Sequence, residues 1–225
     1  MVEAATTMGY EDRRVRRSRA LITEAAASEF LAKGYSGTSV DDIAAAAGVA
    51  KRTIYNIYGD KERVFRAMIT EAIATAEAYS ERLGTSGLTD RHTQSGSTLE
   101  QRLVDIARDL AQSIHQGPVV PLRRLVIGAA GRFPDLAVEY YQRAPQLVMS
   151  QLARALSELD AMGQLVVPDP ELAAEHLAFL TIGASLDRAM FDPSRPLDAA
   201  LARAEAGARA FYRAYRVTPA GDTEQ

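Results

Sequence analysis

The sequence predicts an all-α protein, an N-terminal three-helix bundle with a helix-turn-helix followed by a larger helical domain. Three observations lead there. Apolar residues recur at i, i+3 and i+4 in one segment after another, the signature of helices with a buried stripe. No stretch alternates apolar and polar residues over a useful length. And 40 alanines stand against 15 glycines and 9 prolines in 225 residues, a composition that favours helix.

The absences narrow the function. There is no cysteine, which removes disulfides, thiolate metal sites and cysteine nucleophiles. The three histidines (His92, His115 and His176) are scattered, with no Glu-x-x-His pair, Gly-rich phosphate loop or Gly-x-Ser-x-Gly elbow. No metal site, cofactor or catalytic residue is therefore expected. No apolar run approaches the roughly 18 residues that span a bilayer, and Met1 to Tyr10 lacks the basic-then-apolar order of a signal peptide. The expectation is a cytoplasmic protein with no membrane partner.

Element by element, residues 1–15 read as a disordered basic arm. From about Arg16, Leu21, Ile22, Ala25, Ala26 and Phe30 mark a helix that stops at Gly34. Ser39 lies three residues before Asp42, a capping box that starts a second helix with Val40, Ile43, Ala44 and Ala47 on one face. Gly48 ends it, and a short helix over Ala50 to Ile57 follows at once. Asp60 can cap a fourth helix from Lys61 to Leu83, which at ~1.5 Å per residue spans roughly 35 Å. Residues 84–98, rich in Gly, Ser and Thr, read as a flexible loop. Helices then follow over 99–116, 119–130, 135–162, 170–191 and 197–216, with Pro145 kinking or splitting the third. The elements divide into 1–15 arm, 16–60 helix-turn-helix, 61–216 a larger helical domain, and 217–225 disordered tail.

Two short helices about a tight Gly turn form a helix-turn-helix, in which the first braces the second so that its N-terminal side chains enter the major groove of DNA. Lys51, Arg52, Thr53, Tyr55 and Asn56 supply donors there. The charge agrees once it is divided. The net −3 hides 11 basic against 9 acidic residues up to position 66 and 15 against 20 beyond it. A basic front sits on an acidic body. Arg13, Arg14, Arg16, Arg17 and Arg19 crowd the start, either as a minor-groove arm or as a solvated tail.

Gly34-Tyr35, Thr38-Ser39-Val40, Ile43-Ala44, Ala47-Gly48-Val49, Thr53-Ile54-Tyr55, Tyr58 and Lys61-Glu62 together resemble the N-terminal domain of TetR-family transcriptional regulators, without a gap from Arg17 to Phe65. The resemblance implies that Lys51, Arg52 and Thr53 line the groove face, that Tyr55 and Asn56 reach phosphates or base edges, and that Thr38, Ser39 and Lys61 meet phosphate. Ile57 stands where the family often has histidine, Tyr58 where phenylalanine is usual and Arg52 where glycine is common, so operator sequence cannot be borrowed from relatives. Tyr58 reads as a core aromatic in preference to a DNA contact.

More loosely, Leu122-Arg123-Arg124-Leu125-Val126, Arg132-Phe133-Pro134-Asp135-Leu136, Gly163 and Asp169-Pro170 resemble AefR-like repressors. In the last two helices Leu172, His176, Phe179, Gly183, Leu186 and Met190 form one heptad seam, and Leu197, Leu201, Ala204, Ala208, Phe211 and Tyr215 another. Both are expected in a four-helix dimer interface, the alternative being intramolecular core. Tyr79, His115, Arg124, Phe133, Tyr140 and Tyr141 are candidates to orient an effector in an apolar pocket. Arg123 and Arg124 either accept an anion or pair with Asp135. The sequence thus predicts a homodimeric repressor that binds near-palindromic double-stranded operator DNA and is released by a largely apolar small molecule. An activator or ligand-independent regulator of the same fold is the alternative, and a helical enzyme with a vestigial DNA-binding front is a remote one.

Overall fold

The computed structural model describes residues 2–86, 98–192 and 196–218. Among them regular structure is helical: α1 (Val2–Gly37), α2 (Val40–Ala47), α3 (Lys51–Tyr58), α4 (Lys61–Ser86), α5 (Leu99–Gln116), α6 (Val119–Ala129), α7 (Pro134–Arg143), α8 (Pro145–Ala161), α9 (Pro170–Ala178), a π-turn (Phe179–Gly183), α10 (Ala184–Phe191) and α11 (Leu197–Tyr215). An isolated antiparallel bridge joins Leu165 to Arg216. No described helix is long and apolar enough to cross a membrane, and no described cluster of three His, Asp or Glu side chains could hold a metal ion.

Helix α1 begins at Val2 and not near Arg16. Glu3, Ala4, Ala5, Met8, Glu11 and the arginines from Arg13 onward are good helix formers that favour this extension. It breaks at Gly34, whose φ of 71° and ψ of 172° are non-helical. Pro145 divides α7 from α8 as expected, since it lacks the amide that would continue the ladder. Thr98 caps α5 by accepting from Gln101 N at 3.2 Å. The fourth helix runs on to Ser86, so residues 84–86 of the expected loop are helical; residues 87–97 lie outside the described residues, as do 219–225 of the expected tail.

The chain forms two compact units. The first comprises the residues up to 75 together with 125–140; the second comprises 76–124 and the residues from 141 onward. The sequence places a boundary after Asp60, whereas the first half of α4 and the α6–α7 corner group with the helix-turn-helix. The first unit packs Ile22, Phe30, Ile43, Ile54, Phe65 and Ile69, all fully buried. The second packs α5, α8, α9 and α11 around Leu103, Leu156, Leu159, Ala173, Ala204, Ala208 and Phe211.

This packing corrects the α11 seam. Ala204, Ala208 and Phe211 are wholly buried within their own chain, so a second copy cannot touch them. Leu201 and Tyr215 pack partly against the same core. The seam of α9 and α10 is corrected for another reason. Thr181 Oγ1 donates to Leu177 O at 2.7 Å inside the π-turn, and the widened turn inserts a residue that rotates the following face. Leu172 and His176 before it and Phe179 at its start are exposed, whereas Leu186 and Met190 pack partly buried beside Ile114, Val120 and Ala189 after it. Gly183 lies against the Phe179 ring. One heptad line is thus two surfaces.

Candidate nucleic-acid interface

The capping box at Ser39 forms in full: Asp42 N donates to Ser39 Oγ at 3.1 Å and Ser39 N donates to Asp42 Oδ2 at 2.8 Å. Lys33 Nζ donates to the other carboxylate oxygen at 3.1 Å. Hydrogen bonds from Ser39, reinforced by Lys33, hold the Asp42 carboxyl down to about 2. A carboxyl lowered on folding stabilises the native state above its unfolded value and loses that contribution as pH falls through the folded one. The start of α2 is therefore expected to loosen between about pH 4 and pH 2. The check is acid titration of Asp42→Asn against the parent, which should lose this part of the pH dependence.

Gly48 closes α2 with φ 64° and ψ 31°, the left-handed conformation glycine adopts without strain. Val49 N donates back to Ala44 O at 3.1 Å, and α3 leaves at once with no side-chain cap on its N-terminus. Ile54 is buried and anchors α3. Lys51, Arg52, Tyr55 and Asn56 are exposed, and at 100° per residue they fall within an arc of about 140°. The structure therefore brings these four predicted residues onto one outward face. Thr53 is half-buried at its edge.

The charges on this face are unequal. Lys51 Nζ lies 2.8 Å from Asp41 Oδ2, an exposed bridge between α2 and α3 that raises the lysine's pKa. Among the described residues Arg52 has no such partner, so it is the uncompensated cation of α3. Ser39 is exposed, but its hydroxyl is engaged with Asp42 Oδ2 at 2.6 Å.

Two residues expected at phosphate are engaged inside the protein, one wholly and one in part. Thr38 is buried, and its hydroxyl donates to Glu29 O at 3.1 Å and Gly34 O at 2.9 Å. It ties the start of α2 back to the last turns of α1, and its hydroxyl proton is not available to DNA. Lys61 Nζ donates to Tyr35 O at 2.9 Å and Thr38 O at 2.8 Å, with its charge 4.3 Å from the Tyr35 ring centroid. Burial, then the nearby Arg132 charge, lowers its pKa. The ammonium ties α4 to the α1–α2 turn and keeps one N–H for a further acceptor. Tyr58 is a packed aromatic whose hydroxyl lies 3.0 Å from Thr23 Oγ1, with Arg19 over its ring at 5.7 Å. Arg13, Arg14, Arg16, Arg17 and Arg19 are exposed along α1. Asp60 caps α4 by accepting from Arg63 N at 2.8 Å.

Sequence reasoning misses an aromatic and charged group that ties the α6–α7 corner to α1 and α4 within the same unit. Phe133 packs edge-on to Tyr35 at 4.8 Å and tilted against Phe65 at 5.3 Å. Arg66 and Arg132 lie over its ring at 5.1 and 5.6 Å. Arg66 also grips Asp135 at 2.7 Å and Glu62 at 3.0 Å; its hydrogen bond lowers the pKa of the Asp135 carboxyl. Asp135 thus pairs with Arg66, not with Arg123 or Arg124. The signal present in the sequence was the Arg132-Phe133-Pro134-Asp135 run.

The effector candidates are divided between the two units. Phe133 is core of the first unit, to which the buried Tyr140 also belongs, whereas His115, Arg124 and Tyr141 belong to the second, with Arg124 and Tyr141 exposed. Tyr79 lies on α4, but its side chain is outside the described residues.

Residues 22–68 match the family model for bacterial regulatory proteins of the tetR family, and residues 101–217 match that for the C-terminal domain of AefR-like transcriptional repressors. The HTH-type transcriptional regulator TcmR of Streptomyces glaucescens is 28% identical over 149 residues, 66% of this chain and 63% of that protein. The chain thus spans slightly less than two thirds of this curated relative. A putative TetR-family transcriptional regulator from Mesorhizobium loti is similar in structure, with a TM-score of 0.79 and 30% identity over 91% of this chain and 99% of that one. The flavonoid-responsive regulator FrrA has a TM-score of 0.65 and 29% identity over 90% and 99% of the two chains.

Proposed function

The chain belongs to the TetR family of DNA-binding transcriptional regulators, with an AefR-like C-terminal domain, and from that premise we propose that it is a homodimeric repressor released from its operator by a small-molecule effector. Arg52 and Asn56 contact base edges, while Lys51, Tyr55 and the spare N–H of Lys61 contact phosphate. Ser39 and Thr53 border this surface. One eight-residue helix binds weakly alone; two, related by a twofold, occupy successive major grooves about 34 Å apart and read a near-palindrome. The exposed apolar residues Leu172, Phe179 and Leu180, beside His176, support a second copy of the chain as the partner of α9 and the π-turn.

One observation carries the response to ligand. Residues 125–140, from the AefR-like part of the sequence, belong to the same compact unit as the recognition helix, held by Phe133 and by Asp135 on Arg66. An effector that displaces α6 or α7 would disturb the seating of α1 and α4 and so of α3. The effector must bind the DNA-incompetent state better, and operator DNA must weaken effector binding by the same factor. A largely apolar effector agrees with the description of FrrA as flavonoid-responsive, and Tyr79, Arg124 and Tyr141 remain candidates to orient it. No catalytic step is assigned.

Transcript levels in a deletion strain test the direction of control: target genes rise if the protein represses, and a fall would make it an activator. Arg52→Ala is expected to weaken operator binding by roughly 10- to 100-fold, the loss of one good base contact, with folding unchanged. Unaltered affinity would contradict the placement of Arg52.

A further inference from the structure

Two carboxylates open α2, and the fold uses them differently. Asp42 closes the capping box with Ser39 and also takes Lys33. The Asp41 side chain is 69% exposed, and its ion-pair partner among the described residues is Lys51, at 2.8 Å. Lys51 is the first residue of α3, so the bridge holds the Asp41 carboxylate beside the end of the helix whose side chains enter a major groove. A bridge this exposed adds little to stability, and Asp42 already supplies the negative charge that the start of α2 favours. Asp41 does not help to hold DNA either. It is repelled by phosphate at every sequence, and it offsets one of the two cations, Lys51 and Arg52, at the start of α3. A side chain that adds little to the fold or to general affinity, set at the reading end of α3, is suited to discrimination between sequences.

We propose that Asp41 is a specificity-determining residue of the DNA interface, which weakens binding to non-operator DNA and accepts a hydrogen bond from a cytosine amino group in the operator. The inference rests on the reading of α3 as the helix that enters the groove. Non-specific binding is driven by neutralising phosphates. While Lys51 is paired with Asp41, Arg52 is the uncompensated cation that α3 brings to such an encounter. At the operator the N4 amino group of a cytosine donates to the carboxylate, and Lys51 turns to phosphate. Opposite guanine or thymine the major-groove edge carries acceptors, so the carboxylate meets repulsion there and from the backbone.

The test is anisotropy titration of the full-length parent, Asp41→Ala and Asp41→Glu with a duplex from upstream of the protein's own gene and a scrambled one, across a salt series. Asp41→Ala is expected to bind the scrambled duplex more tightly, with a salt slope steeper by about one per chain. Its preference for the upstream duplex should fall by about fivefold or more. Asp41→Glu keeps the charge beside Lys51 and should keep the parent's weak binding to scrambled DNA. When each G·C pair of the upstream duplex is exchanged for A·T in turn, the parent should lose affinity at a pair whose exchange Asp41→Ala tolerates. A role confined to the start of α2 would weaken both duplexes together and leave the salt slope unchanged. Alanine is a good helix former, so the thermal midpoint should stay near the parent's; Asp41→Asn is the smaller perturbation if it does not. A parent with no preference for the upstream duplex removes the functional reading and this inference with it. A parent that prefers it, with a preference that falls by less than about fivefold in Asp41→Ala or with no pair whose effect is lost, overturns the inference alone.

Discussion

Phe133→Ala is expected to destabilise the first unit by about 3–5 kcal/mol, the usual cost of emptying a buried phenylalanine site. The ring is only 2% exposed and stands between Tyr35 and Phe65, which in turn contact Phe30 at 5.9 and 5.0 Å. Removing it opens the centre of a connected aromatic group and strips Arg66 and Arg132 of the surface they cover. Phe133 is also the main apolar anchor of the α6–α7 corner in the unit that carries α3. Urea denaturation should show the loss, and operator binding should weaken in Phe133→Ala even where most molecules remain folded. An unchanged denaturation midpoint would contradict this placement of the ring.

Gly207→Ala should destabilise the second unit, against the ordinary trend. In the interior of a helix this substitution usually gains up to about 1 kcal/mol from propensity and chain entropy. Here a Cβ would collide with Leu180 O and lie 2.5 Å from its carbonyl carbon and 3.0 Å from Thr181 Cα. These are backbone atoms of the π-turn and cannot rotate aside. Gly207→Val adds further bulk at the same point and should cost about 3 kcal/mol or more, at the upper end of overpacking effects. Thermal unfolding of both variants checks the sign. A Gly207→Ala protein more stable than its parent would show that α11 and the π-turn do not approach so closely.

What was legible in the sequence was local. The break at Gly34, the Ser39–Asp42 box, the left-handed Gly48, the Asp60 cap and the split at Pro145 each depend on a few adjacent residues whose chemistry admits few alternatives. The outward face of α3 was legible for the same reason, because helical periodicity fixes which side chains share a side once Ile54 is recognised as core. What failed depended on distant partners. Thr38 looks like a second hydroxyl at a helix start until Glu29 O and Gly34 O are found beside it. The Phe133 group joins residues nearly a hundred positions apart, so no spacing rule reveals it. The heptad seams showed that α9 to α11 have apolar faces, but not which neighbour covers them. The π-turn changed the face halfway along, and Gly207, outside the seam, proved to be the small residue that permits the close approach.

The most direct test of the account is fluorescence anisotropy with a duplex from the region upstream of the protein's own gene and a scrambled duplex of equal length, across a salt series. The account predicts tighter binding to the upstream duplex by roughly 10³-fold or more at physiological salt, two chains per duplex, and affinity that falls steeply as salt rises because phosphate contacts release counterions. Equal affinity for the two duplexes, or no salt-sensitive binding to either, would contradict it.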